Sequence, residues 1–447
     1  MRILKTTRQT MERTTFVLAL TLAASGALTG CSTGAGMGSG PIPVQGAAVH
    51  GNVHGGQQPI VGAILQLYAA GSSGYGSAAT PLISSVVKTD PSGNFSIGGD
   101  FTCTSGSQLI YLTATQGDAG AGNNPNLALM VALGPCSGLA SIPFVWLNEV
   151  TTVASVWALS PFMTGLANVG APASNVTGLT NAFADVNTLV DVTKGSSPGA
   201  ALPSGTFVPS SEIYTLSNIL ASCVNSAGGA AGTPTTNCGK LFSSVNPGTG
   251  AAPSDTIAAA MDIAQHPGFN VGALYTLPGP DGAAFPSGLT LQPNDFTIAV
   301  NFTSGGISAP AALAADASGN VWVANGTGAA VTELSHSGTP VPGSPFAASL
   351  SGASAIAIDA SGGPWITNKT GNSVSRLTSA GSVVAGSPYN TTGFFVAPTG
   401  IAFDLMGNAW ISNSGDNSVS VLNSAGSVQR HSPTGLSTPV GIGVNPR

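Results

Sequence analysis

The chain has 447 residues, 61 of them Gly and 31 Pro, with only 6% charged and a formal net charge of −6. That length exceeds what one hydrophobic core organises, so several domains are expected. The few Lys and Arg residues are scattered, which argues against nucleic acid as a partner, because phosphate binding needs clustered cations.

A surface made mostly of Ser, Thr, Asn and Gly favours turns and strands over long surface helices. These polar side chains compete for backbone hydrogen bonds, and Gly adds backbone entropy. The expected fold class is therefore multidomain and mainly β.

Residues 1–30 read as a signal peptide. Arg2, Lys5, Arg8 and Arg13 precede an apolar run from Phe16 to Ala24, which falls short of the roughly 20 residues of a spanning helix but suits export. The following "LTGC", Leu28 to Cys31, resembles the lipobox of bacterial lipoproteins. The resemblance implies lipid attachment at Cys31, a membrane partner through that lipid, and a place in the cell envelope. Ser32 rather than Asp after the Cys implies the outer membrane over the inner one. Cleavage would leave a charge of about −9, and residues 31–45 read as a flexible tether. Four cysteines remain, an even number in an exported chain. Cys103 with Cys136 and Cys223 with Cys238 are the economical pairs, since each then lies inside one domain. Closing the shorter loop is worth roughly 3 kcal/mol in the chain-entropy model.

Residues 46–145 alternate in short stretches. In "AILQLYA", Ala63, Leu65 and Leu67 share one face and Gln66 and Tyr68 the other, as a half-buried strand requires. Pro and Gly in "TDPSGNF", residues 89–95, reverse the chain. A β-sandwich follows, and "GNVHGGQQPIVGAILQLY" through "TDPSGNFSI" resembles the carboxypeptidase-regulatory-like, prealbumin-like domains of secreted bacterial proteins, which implies a stalk or spacer. His50 and His54 lie too far apart along one strand, about 13 Å, to share a zinc ion, and read as surface residues.

Residues 146–275 carry four segments of helical length, "LNEVTTVASVWALSPFM", "VTGLTNAFADVNTLVDV", "SSEIYTLSNILASCVNS" and "SDTIAAAMDIAQH". In the third, Ile213, Leu216, Ile219, Leu220 and Val224 form one stripe, with Ser210 or Ser211 as the cap. A small helical bundle is expected, then an irregular linker, 276–309, holding one strand, "DFTIAVNF".

Three repeats follow at 310–341, 353–384 and 398–429, with a partial fourth at 439–447. Asp316, Asp359 and Asp404 come into register 43 and 45 residues apart, the period of a propeller blade. Each repeat supplies an apolar strand, an Asp-x-x-Gly turn, a strand bearing Trp322, Trp365 or Trp410, and a third strand. The pattern resembles NHL-type β-propellers and implies about three blades. The three Asp residues read as structural turn formers. Asn325, Asn368 and Asn413 end the second strands, on the side that NHL-like propellers commonly use for ligands, and are the candidate ligand face. Three blades leave open edges. A contribution from "DFTIAVNF" to a further blade, closure by a second chain into a homodimer, or truncation would each account for them.

No catalytic constellation stands out, and no metal or cofactor site is expected. Glu333, His336 and Lys369 are the residue types that streptogramin lyases, similar in their repeats, gather on one face, but nothing in the sequence brings them together. "GSSPG", residues 195–199, lacks the strand-turn-helix setting of a nucleophile elbow. The expected function is a non-catalytic binding or scaffold protein for a protein or glycan, acting through propeller loops. An exported propeller enzyme of lyase or lactonase type, or a truncated propeller without independent function, are the alternatives.

Overall fold

The computed structural model describes residues 42–248, 250–278, 283–433 and 435–444; the signal segment and Cys31 lie outside them. Among these residues no helix is long and apolar enough to cross a membrane.

The longer strands of the sandwich are β1 (Val49–Gly55), β2 (Ile64–Ala69), β3 (Asn94–Ile97), β4 (Leu109–Thr115), β5 (Ala128–Pro135) and β6 (Val145–Leu147). One sheet runs β5-β4-β2, with short strands at 80–81 and 87–88 beside β2; the other sets β1 between antiparallel β3 and parallel β6. Along β2, Leu65, Leu67 and Ala69 are buried in alternation. The turn before β3 is held by Asp90, whose Oδ1 accepts the amides of Ser92 and Asn94.

Helices α1 (Glu149–Leu159), α2 (Val176–Leu189), α3 (Ser210–Val224), α4 (Asn237–Val245), α5 (Thr256–Gln265) and α6 (Val271–Thr276) follow. They share a core with the strands: one continuous set of buried side chains runs from Val49 through the helices to Phe296. Strand β5 edges its sheet, and its outward amides would be stranded without partners. Helix hydroxyls meet them. Thr256 Oγ1 accepts Ala128 N, Thr152 Oγ1 accepts Met130 N and Ser155 Oγ accepts Ala132 N, at 2.9, 3.0 and 3.0 Å. Thr152, Ser155 and Thr256 are therefore fully buried polar residues with a reason to be there.

The stripe expected on α3 is buried throughout, but Thr215, Ser217 and Asn218 are buried too, so the helix is enclosed on most sides. Neither expected serine caps it. Pro209 occupies the cap position without a side-chain bond, and Ser210, already inside the first turn, pairs its hydroxyl with Ser197 Oγ at 2.9 Å. Two disulfides form, Cys103–Cys136 and Cys223–Cys238. The second ties the end of α3 to the start of α4, a helix absent from the four expected.

The repeats form three antiparallel blades. Blade one holds β7 (Pro310–Ala315), β8 (Val321–Asn325), β9 (Ala330–Leu334) and β10 (Phe346–Ala347). Blade two holds β11 (Ala353–Ile358), β12 (Pro364–Asn368) and β13 (Ser373–Arg376). Blade three holds β14 (Pro398–Phe403), β15 (Ala409–Asn413), β16 (Ser418–Leu422) and β17 (Val428–Pro433). Separate apolar clusters fill the two seams, one around Trp322 and Ile356 and one around Trp365 and Ile401.

Candidate functional site

The turn between the first two strands of each blade is the repeated unit of the propeller array. Asp316 Oδ1 accepts the amides of Ser318 and Asn320, Asp359 Oδ1 those of Ser361 and Gly363, and Asp404 Oδ1 those of Met406 and Asn408. The second carboxylate oxygen accepts the indole N–H of Trp322, Trp365 or Trp410 at 3.3, 2.9 and 3.0 Å. Each Asp thus brackets the turn and orients the Trp, which for Trp322 and Trp365 lies in or beside a seam. Glycine follows because Gly319, Gly362 and Gly407 adopt φ of +82°, +82° and +78°, which a side chain resists. Bonds from Trp410, then the side chain and backbone of Asn408, hold the Asp404 carboxyl down to about 2. Burial works against Asp359, yet Ser361, Trp365, Gly363 and Arg376 outweigh it and keep its carboxyl below the usual range.

Asn325, Asn368 and Asn413 are buried, with their amides committed to their own blades. Their Oδ1 atoms accept the backbone N–H of Ser308, Ser351 and Val396, and their Nδ2 groups donate to Thr332, to Ser373 and Ser375, and to Ser418 and Ser420. They tie the entry loop of each blade to its third strand. Turn-forming asparagines and ligand-facing ones look alike in sequence; only burial separates them.

The three residues weighed as catalytic have different surroundings. Glu333, across from Trp322 on β9, is buried and accepts Asn320 Nδ2 at 3.0 Å. Burial raises its carboxyl; Asn320 opposes the shift and nearby Asp316 adds to it. His336 instead reaches Asp185 of α2, with Nδ1 3.7 Å from Oδ1, where burial raises the Asp185 carboxyl against the pull of the imidazole. That pair borders a cavity of about 210 Å³ lined also by Trp157, Leu189, Val300 and Phe302. Lys369 is exposed. Among the described residues, no three His, Cys, Asp or Glu side chains gather as a metal site.

Arg376 was not singled out from sequence. It stands across from Trp365, where blade one has Glu333 and blade three Val421. Its guanidinium lies 4.7 Å from the indole centroid, meets Asp359 Oδ2 at 2.7 Å, and donates to Ser424 O of the next blade. The signal was the break in chemistry at one register position.

Blades join by a recurring set of contacts. A Cβ on Gly381 would strike the ring of Phe346, and one on Gly426 the ring of Tyr389, each aromatic belonging to the preceding blade. Ser354 donates to Pro398 O at 2.7 Å, and Thr399 repeats the bond to Pro439 O at 2.7 Å. Residues 439–444 therefore lie along β14 where a fourth inner strand would begin; Asn445 is outside the described residues. At the other end a Cβ on Gly338 would strike Phe302, at the close of "DFTIAVNF". Asn301 and Phe302 pair with Phe207 and Thr206, so the body supplies to blade one the aromatic that a preceding blade supplies to blades two and three.

Among the described residues, the inner face of β7 has no such cover. Leu313 is 70% exposed, whereas Ile356 and Ile401, at the same position of β11 and β14, are 9% and 8% exposed because a preceding blade lies over them. Trp410, at the far end, is only half-buried while Trp322 and Trp365 are sealed.

No protein-family model matches the chain, and no curated protein matches it. Among solved structures it is similar to a catalytically inactive virginiamycin B lyase from Staphylococcus aureus solved with quinupristin, at 20% identity and a TM-score of 0.28, over 32% of this chain and 47% of that one. It is also similar to a putative gluconolactonase, at 19% identity and a TM-score of 0.22, over 27% and 47% of the two chains. A third is regucalcin, a calcium-binding protein from Agrobacterium tumefaciens, at 16% identity and a TM-score of 0.20, over 25% and 41%. The chain spans less than half the length of each. By its own strand pairing the chain is a mainly β protein carrying an array of antiparallel blades.

Proposed function

We propose that the chain is an exported, lipid-anchored binding or scaffold protein, with the propeller array as its recognition element and a protein or glycan as its partner. The observation that carries this reading is the uncovered side of β7. A Leu that is 70% exposed at the centre of an innermost strand, where its equivalents are covered, presents apolar surface to a further partner. The half-buried Trp410 at the opposite end makes the array two-sided. Such an arrangement suits closure by a second copy, with the trailing side of one array on the leading side of the other. The lipobox-like segment at Cys31 supports anchoring in the envelope, and the two disulfides fit an oxidising compartment.

The test is a photo-crosslinking residue in place of Leu313, in intact cells, with exposed Val86 of the sandwich as the control position. A discrete adduct from position 313 alone is expected, and a doubled mass would identify a second copy. No adduct at full expression would sink the reading.

The enzyme reading, an exported lyase or lactonase, is favoured by one observation, the buried Glu333 carboxyl with its raised pKa. Turnover of a streptogramin or a lactone by the purified chain, lost in Glu333→Gln, would establish it instead.

A further inference from the structure

A groove in the body, away from the repeats, carries a chemistry that neither the stalk role nor the array explains. It has a volume of about 340 Å³, within the range of small-molecule sites. Four segments meet there: the turn after β1, strand β6, the loop at 194–196, and residues 285–287 beside α3. We propose that this groove binds a neutral saccharide.

Rings line one part of it. Strand alternation buries Val145 and Leu147 and turns Trp146 to the other side of β6. The His54 ring meets the indole edge-on at 4.8 Å and 72°, and Phe144 does so at 6.0 Å and 60°, which fixes the plane of the indole. Tyr214 and Phe285 lie stacked at 6.0 Å and 22°. Burial lowers the His54 pKa, favouring the neutral imidazole. His54 is thus half-buried, not the surface residue expected from sequence.

The remaining lining groups are polar and unspent. Trp146 Nε1, the ring nitrogens of His54, Gln57 Oε1, Ser196 Oγ and Ser287 Oγ have no hydrogen-bond partner among the described residues, and none is sealed from solvent. The lining cation, Lys194, is paired with Asp191 at 2.8 Å. A purely apolar ligand would strip water from these groups without replacing it, and an anion would find no free positive charge. A sugar offers both halves of the match: a C–H face for the rings and hydroxyls for the amide, indole and serine groups.

The groove is preformed. Glu149 accepts the amide of Gly56 with both carboxylate oxygens, at 3.1 and 3.0 Å, pinning the turn that carries Gln57. Gly195, at φ +63°, lets its loop press close to Asn148 and Trp146. Tyr214 is held by Ser197, donating to its carbonyl and accepting its amide. Little ordering is left for a ligand to impose.

The experiment is titration calorimetry of the full chain with soluble tri- and tetrasaccharides of glucose, galactose, mannose and N-acetylhexosamine units. At least one should bind with a millimolar or tighter Kd. Trp146→Ala and Ser287→Trp should each weaken it at least tenfold with the melting temperature preserved; Ser287 is exposed, so the second variant fills the groove without removing packing. Leu313→Asp should leave that binding intact, which separates this site from recognition by the array. Failure of every saccharide to bind, or binding that survives Ser287→Trp, overturns the proposal.

Discussion

The body and the propeller array solve the same problem, sheet surface left exposed, in opposite ways. In the body the solution is used once: β5 hands its outward amides to hydroxyls from two helices, and the whole region shares one core. In the array the solution repeats: each blade covers the next through the same Trp, Gly and Ser or Thr contacts, and each seam has its own small core. A single core ties every element's stability to the others. A repeated joint makes stability a sum of neighbours and leaves two unlike ends.

The largest expected effect breaks the array at its centre. Trp365 is sealed between blades, bonded to Asp359 and covered by Arg376, Tyr389 and Phe403. Trp365→Ala should cost about 3–5 kcal/mol in urea unfolding, and Trp410→Ala clearly less, because Trp410 is only half-buried. Equal costs would mean that the ends are as well covered as the middle.

In the body, pH is the lever. Burial drives the Glu149 carboxyl up to about 7 from 4.5, against the opposing bond from Gly56. The neutral form is thus favoured in the fold. The stability it contributes is fully present below about pH 4.5 and is lost as pH rises through about 7, a swing of about 3 kcal/mol. Urea midpoints of the wild type should fall across that window, and those of Glu149→Gln should stay flatter. A parallel pair of curves would remove Glu149 as the cause.

Thr152→Val strands the outward amide of Met130 and should cost about 1–3 kcal/mol, while the same change at exposed Thr180 should cost little. Smallest is Leu313→Ala, expected within about 0.5 kcal/mol because no blade covers Leu313, against about 2–4 kcal/mol for Ile356→Ala. Differential scanning calorimetry of both variants checks the contrast between a covered and an uncovered inner strand.

These contrasts also mark what was legible in the residues. The blades were, because Asp316, Asp359 and Asp404 recur with their Gly and Trp, and a turn bracket is a local object. The alternation in β2 and the stripe on α3 were legible for the same reason. The shared core was not, since nothing in the helical segments marks Thr152, Ser155 and Thr256 as partners of β5 until the strand lies beside them. Asn325, Asn368 and Asn413 misled as a ligand face because burial is a tertiary property. Trp146 and His54 drew no attention as a pair: they are 92 positions apart and meet only because β6 lies parallel to β1.

The contact between Gly338 and Phe302 has a consequence for how such a chain grows. The body meets blade one in part through the joint that blades use among themselves, so inserting one unit of 43 or 45 residues between two blades would keep that joint and leave the pair of His336 and Asp185 in place. Gene duplication could lengthen the array like beads on a string whose clasp has the shape of a bead, leaving the body and its groove untouched.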